Sequence, residues 1–125
     1  MHTGYPYIVS MHTVVETPSF LAAAKEAGMS AAVRMQIVAT VANEPRSGDL
    51  IQGTHGLRKL RHARPGGGKS GGFRVITYYH SPSLPVFLIT VFAKNQRSDL
   101  SKAEANALGN MVKSMAENYR KKNAR

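Results

Sequence analysis

The sequence predicts an α+β domain in which two N-terminal helices and one C-terminal helix pack on a small antiparallel sheet. Three observations carry that expectation. Helix-start signals at Thr17-Pro18 and at Ser30 open the N-terminal third. Runs rich in β-branched and aromatic residues follow through the middle of the chain. A capping box, Ser101-x-x-Glu104, then opens a final stretch with helical periodicity.

The elements follow in order. "HTVVETP" (His12 to Pro18) reads as a short strand ending at a helix start, with Thr17 as N-cap and Pro18 at the first helical position. "SFLAAAKEAG" continues as a short helix closed by Gly28. Ser30 caps a second helix reaching about Asn43, with Val33, Ile37, Val38 and Val41 on one side, and "NEPRSGD" ends it. Three strand candidates come next: Gly56–His62, Phe73–His80 and Val86–Lys94. The last, "VFLITVFA", is almost wholly apolar and reads as a central strand covered on both faces. "SPSLP" makes the turn before it. In the last helix Ala105, Leu108, Met111, Val112, Met115 and Tyr119 follow helical spacing, which assigns Met111 and Met115 to the core. The tail "YRKKNAR" is expected to fray into solvent.

At 125 residues the chain fits one domain with one core. Residues 1–10 read as an N-terminal extension, because a second "MHT" begins at Met11, and residues 11–125 as the domain. The absence of cysteine excludes disulfides and thiolate metal sites. No apolar run reaches the roughly 18 residues of a membrane span, and the start lacks the pattern of a signal peptide, so a cytoplasmic protein is expected. "ARPGGGKS" (Ala63 to Ser70) fits the loosest form of a nucleotide-binding P-loop. Its context does not fit. A mixed cationic strand precedes it and a second strand, not a helix, follows, so it reads as a glycine-rich connection between antiparallel strands.

Charge is unevenly distributed. Of the 17 Lys and Arg residues, only Lys25 and Arg34 precede Arg46. Between Asp49 and Asp99 there is no acid, while Arg58, Lys59, Arg61, Arg64, Lys69, Arg74, Lys94 and Arg97 fall in that window. A one-sign stretch of this length attracts polyanions, and nucleic acid or a ribonucleoprotein is the expected partner. Strand alternation puts Lys59 and Arg61 on one face and Arg58, Leu60 and His62 on the other. Arg74 shares a face with Ile76 and Tyr78, so pairing of the two strands brings Lys59, Arg61 and Arg74 together, with Lys94 within reach at the end of the apolar strand.

Such a patch suits cleavage of RNA by its own 2′-OH. That reaction needs a base for the hydroxyl, charge stabilisation on the phosphorane, and a partner for the departing 5′ oxygen. Lys59, crowded by arginines, is the candidate base; Arg61 and Arg74 are candidates to clamp the non-bridging oxygens in a planar fork. No metal and no other cofactor is expected, since the window lacks the carboxylates that a two-metal nuclease needs. Among the histidines, His55 in "GTHG" is the competitor for acid–base work, whereas His62 faces away and His80 borders a turn.

"GLRKLRHARPGGGKSGGFRVITYYH" followed by "VFLITVFAKNQRSDLS" resembles the HigB-like branch of the RelE/ParE toxin superfamily. "TPSFLAAAKEAG" and the capped terminal helix fit the same pattern, so the resemblance covers about Met11 to Tyr119. It implies a RelE-like fold and a type II toxin that binds the ribosomal A site and cleaves translated mRNA. It also implies a cognate antitoxin, expected to be a helix-turn-helix protein. By resemblance Lys59 and Arg61 act on the 2′-OH and phosphate, and Arg74 stabilises the phosphate. Arg58, Arg64, Lys69, Arg97 and Tyr78 are the expected contacts to RNA or ribosome, with core packing expected for at least one of Tyr78 and Tyr79. The chain departs from the pattern at Asn95 and Ser101, where relatives carry arginine and tyrosine; Lys94 or Arg97 stands in, and the leaving-group acid is left unassigned. A ParE-like protein that poisons DNA gyrase without cleaving RNA is the alternative on the same fold.

Overall fold

A computed structural model describes residues 11–63 and 72–122. Eight elements follow one another: β1 (Val14–Glu16), α1 (Pro18–Glu26), α2 (Ala31–Asn43), β2 (Asp49–Leu50), β3 (Leu57–His62), β4 (Phe73–Tyr78), β5 (Val86–Ala93) and α3 (Lys102–Lys122). The strands form one sheet in the order β1-β5-β4-β3-β2. α1 and α2 cover one face and α3 the other, which gives an α+β fold in three layers.

The helix starts obey their caps. Thr17 accepts from the Phe20 N–H at 3.1 Å, and Ser30 accepts from the Val33 N–H at the same distance. Ser101 and Glu104 bond reciprocally across the first turn of α3, as the capping box requires. Thr17 does more than cap. Its hydroxyl donates to the Leu88 carbonyl at 2.7 Å, and the Ser19 hydroxyl donates to the Ile89 carbonyl at 2.8 Å. Those acceptors lie where the β4–β5 register slips: Thr77 pairs with Leu88 and Ile76 with Thr90, which leaves Ile89 as the extra residue of a bulge. The start of α1 is thereby fastened to the irregular point of the sheet.

One core joins Phe20, Ala24, Val33, Ile37 and Val41 of the helices to Phe73, Val75, Val86, Leu88 and Val91 of the sheet. The other joins Leu57, Ile76, Tyr78, Phe87, Ile89 and Phe92 to Val112 and Ala116 of α3. β5 contributes to both, which accounts for its unbroken apolar run.

Several expectations are corrected. The sheet is mixed, because β1 runs parallel to β5 and only the other pairs are antiparallel. β5 is covered on both faces but lies second from the edge, and β4 is central. β2, two exposed residues paired with Arg58 and Lys59, has no apolar pattern to betray it. Met111 is exposed, and the helix instead seats Gly109, Val112 and Ala116 against the sheet side of the molecule. The last residues assigned to a frayed tail stay helical through Lys122. The glycine-rich connection and the N-terminal extension lie outside the described residues.

Candidate functional site

β3 and β4 build the site by register. Arg61 pairs directly with Arg74, and Lys59 with Ile76. Leu57 on β3, and Ile76 and Tyr78 on β4, enter the core beneath α3, so alternation turns Lys59, Arg61 and Arg74 to that same face of the sheet. Directly opposed residues of an antiparallel pair have Cα atoms about 4.5–5.5 Å apart. Two guanidiniums in that position repel, and such pairs destabilise a sheet. Among the described residues neither forms an ion pair; Arg74 donates only to its neighbour, the Phe73 carbonyl, at 3.3 Å. Arg61 is exposed and Arg74 half-buried, so both cations stand beside a packed core with their charge uncompensated.

The segment after β5 folds over one side of this patch and brings an acid that the sequence window seemed to lack. Lys59 Nζ donates to Asp99 Oδ2 at 2.9 Å, while the Leu100 N–H donates to Asp99 Oδ1 at 2.8 Å. The Lys59 hydrogen bond, helped by that N–H and by the charges of Lys59 and Lys94, holds the Asp99 carboxyl below the usual carboxylate range. Lys94 thus stands near the same acid, and its ammonium makes a long contact of 3.4 Å to the Ser98 carbonyl. Sequence separation hid this arrangement, since 40 residues divide Lys59 from Asp99.

Arg97 acts mainly as scaffold. Its guanidinium pairs with Glu104, donates to the Asp99 carbonyl at 3.0 and 3.1 Å, and lies 5.2 Å from the Phe92 ring centre. The Arg97 hydrogen bonds, with the Ser101 N–H, draw the Glu104 carboxyl down to about 2. The side chain is therefore committed to fixing the 94–101 segment on the start of α3.

The remaining candidates are dispersed. Arg58 points to the opposite face of the sheet and donates to the Arg46 and Gly48 carbonyls at 3.1 and 3.0 Å, bracing the turn into β2. Gly48 is needed there, because a Cβ would lie 2.8 Å from the Lys59 carbonyl oxygen. Tyr78 is 2% exposed, so its ring belongs to the core and offers no face for a base to stack on. Tyr79 is half-buried against His12 and carries Arg46 over its ring at 5.3 Å. Arg64 and Lys69 lie outside the described residues. His62 reaches Gln36 of α2 on the far face at 3.2 Å, with burial pulling its imidazole below the ordinary value. His55 is exposed at the opposite end of β3 from Arg61. Among the described residues no group of three or more His, Cys, Asp or Glu could hold a metal ion, and no helix is long and apolar enough to cross a membrane.

The site thus unites Lys59, Arg61 and Arg74 on one face of the sheet, with Lys94 just past the end of β5 and its charge felt by Asp99. Compared with known proteins, residues 13–124 match the family model described as the RelE toxin of the RelE/RelB toxin–antitoxin system. The match lends no support to the gyrase-poisoning alternative. Spanning nearly the whole sequence, it shows that this chain belongs to the RelE toxin family, the toxin component of RelE/RelB toxin–antitoxin systems.

Proposed function

We propose that this toxin is a ribosome-dependent mRNA endoribonuclease of the HigB-like branch, acting in the cytoplasm on translated mRNA in the A site. A cognate antitoxin, a helix-turn-helix protein in this reading, holds it inactive. The observation that carries the proposal is the cross-strand Arg61–Arg74 pair, two cations without an ion-pair partner among the described residues, kept side by side at the edge of a packed core. A fold keeps such repulsion where an anion is to be gripped.

In this mechanism Arg61 and Arg74 bind the non-bridging oxygens of the scissile phosphate and stabilise the charge that builds there in the transition state. Lys59, once it has released a proton to solvent and stands as the neutral amine, takes the proton of the ribose 2′-OH, whose oxygen then bonds to phosphorus. In the free chain the Lys59 amino group is engaged with Asp99, so it reaches the ribose only when that contact opens. The bond from phosphorus to the 5′ oxygen breaks, and Lys94 supplies the proton to that oxygen. Lys94 is the better donor than Arg97, whose guanidinium is tied to Glu104. The products are a 2′,3′-cyclic phosphate and a free 5′-hydroxyl. No metal takes part.

A reconstituted translation reaction read by primer extension tests the proposal. Cuts positioned by codon, present with ribosomes and lost on naked mRNA, are the expected result. Intact mRNA on ribosomes that have bound the toxin would overturn it.

A further inference from the structure

At the far end of β3 and β4 from the Arg61–Arg74 pair, a second cleft gathers polar groups from three elements. It has a volume of about 290 Å³ and is lined by His55, Tyr78, His80, Lys113, Glu117 and Arg120, with Ala116 behind them. Nothing in the mechanism above uses these residues. We propose that this cleft is a second phosphate site, which takes a backbone phosphodiester of RNA away from the point of cleavage.

The hydrogen bonds define what the cleft can offer. An Arg120 amino group lies 2.7 Å from His80 Nε2, and His80 Nδ1 lies 3.2 Å from the Tyr78 hydroxyl. A guanidinium can only donate, so Nε2 accepts and the proton of the neutral ring sits on Nδ1. That N–H donates to the Tyr78 oxygen, which leaves the phenol's own O–H free to donate. A phenol carries its proton at neutral pH, and burial raises the Tyr78 hydroxyl further above its ordinary value. Arg120 retains its other N–H groups, and Lys113 contributes an ammonium about two turns earlier on the helix. Glu117 lines the same cleft, yet among the described residues neither Arg120 nor Lys113 forms an ion pair with it. Two cations against one carboxylate leave a single positive charge, which suits the single negative charge of a phosphodiester. Each backbone contact of this kind positions RNA without reading its sequence.

The cleft is also built rather than incidental. Thr54, 1% exposed, ties its loop together by donating to the Ile51 carbonyl and accepting from the Leu57 N–H. Gly109 lets α3 lie directly on this loop, since a Cβ there would sit 2.8 Å from the Thr54 Cα and carbonyl oxygen. The loop so clamped holds His55 at φ +62°, a left-handed conformation that non-glycine residues rarely adopt. Backbone strain of this kind persists where surrounding structure enforces it, and it gathers at ligand sites. Here it brings an imidazole to the mouth of the cleft.

The proposal needs the chain to meet RNA, as the preceding reading holds, but does not need it to cut. The test uses the full chain and a short RNA with 2′-O-methyl riboses, which cannot be cleaved. Imidazole resonances are followed by NMR in the wild type, Arg120→Gln and Arg74→Ala. Saturable shifts at His55 and His80 are expected in the wild type. They should survive Arg74→Ala, and Arg120→Gln should weaken them about tenfold while backbone amide spectra stay native. Inorganic phosphate, titrated separately, should move the same resonances more weakly; if it matches the RNA, the site takes free phosphate and the proposal of a backbone site falls. Unmoved His55 and His80, or shifts lost in Arg74→Ala and kept in Arg120→Gln, would also overturn it. Wild-type protein that shows these shifts but leaves translated mRNA intact would sink the cleavage reading alone.

Discussion

Replacing Gly109 with alanine sets two effects against each other. In a helix interior alanine is favoured over glycine by about 1 kcal/mol, because it loses less backbone entropy on folding. At this position, however, the new methyl would meet backbone atoms. The added carbon would lie 2.8 Å from both the Thr54 Cα and its carbonyl oxygen, and 3.0 Å from the carbonyl carbon. Ordinary contacts of this type begin near 3.4 Å, so α3 and the loop must part by about 0.6 Å. The loop resists, because Thr54 is buried and hydrogen-bonded to both its flanks. Overpacking a well-filled site costs about 1–3 kcal/mol, which exceeds the helical gain over most of that range. Gly109→Ala should therefore destabilise the protein by up to about 2 kcal/mol, a fall in Tm of up to roughly 10 °C for a domain of this size. Urea and thermal unfolding measure it. A variant about 1 kcal/mol more stable than wild type would refute the contact.

Thr17→Ala removes both the cap of α1 and its bond to the Leu88 carbonyl, so about 1–2 kcal/mol of stability should be lost in urea unfolding; a loss below about 0.3 kcal/mol would discount the tie. Glu104 is depressed from 4.5 to about 2 in the folded chain, so its contribution is complete above pH 4.5 and disappears as pH falls toward 2. Because the pair is exposed the effect is at most about 1 kcal/mol, and Glu104→Gln should flatten the acid limb of stability against pH. Asp99→Asn frees the Lys59 ammonium, and binding of uncleavable RNA should tighten about two- to fivefold, the worth of an exposed ion pair. It should also fall more steeply with salt. Weaker binding by this variant would show that Asp99 supports the site instead of competing with RNA for it.

Local signals carried most of the secondary structure. Thr17-Pro18, Ser30 and the Ser101/Glu104 box each specify a helix start through atoms within four residues, and each is seen in the structure. Strand alternation likewise put Lys59, Arg61 and Arg74 on one face, a conclusion that needs only the pairing of β3 with β4. What sequence periodicity could not convey is partnership over distance. That β1 lies parallel to β5 depends on the path of α1 and α2, not on the residues Val14–Glu16. In α3 the helical stripe suggested Met111, but the close approach to Thr54 selects Gly109 and Ala116 as the buried line and rotates Met111 outward. Asp99 is the clearest case. It reads as the acid that ends a basic window, and only the folding of the 94–101 segment sets it against Lys59. The Tyr78 ring is unavailable for stacking for a related reason, since an aromatic on an alternating strand looks the same in sequence whether a helix or solvent covers it.

Cleavage of a ribosome-bound mRNA by wild-type protein and by Arg74→Ala, compared at matched fold and matched ribosome occupancy, tests the central claim most directly. With one of the two opposed guanidiniums removed, the rate should fall at least about a hundredfold, as for loss of a group that stabilises transition-state charge. Arg74→Ala protein that cuts at the wild-type rate would contradict the claim that the cross-strand cations perform the reaction.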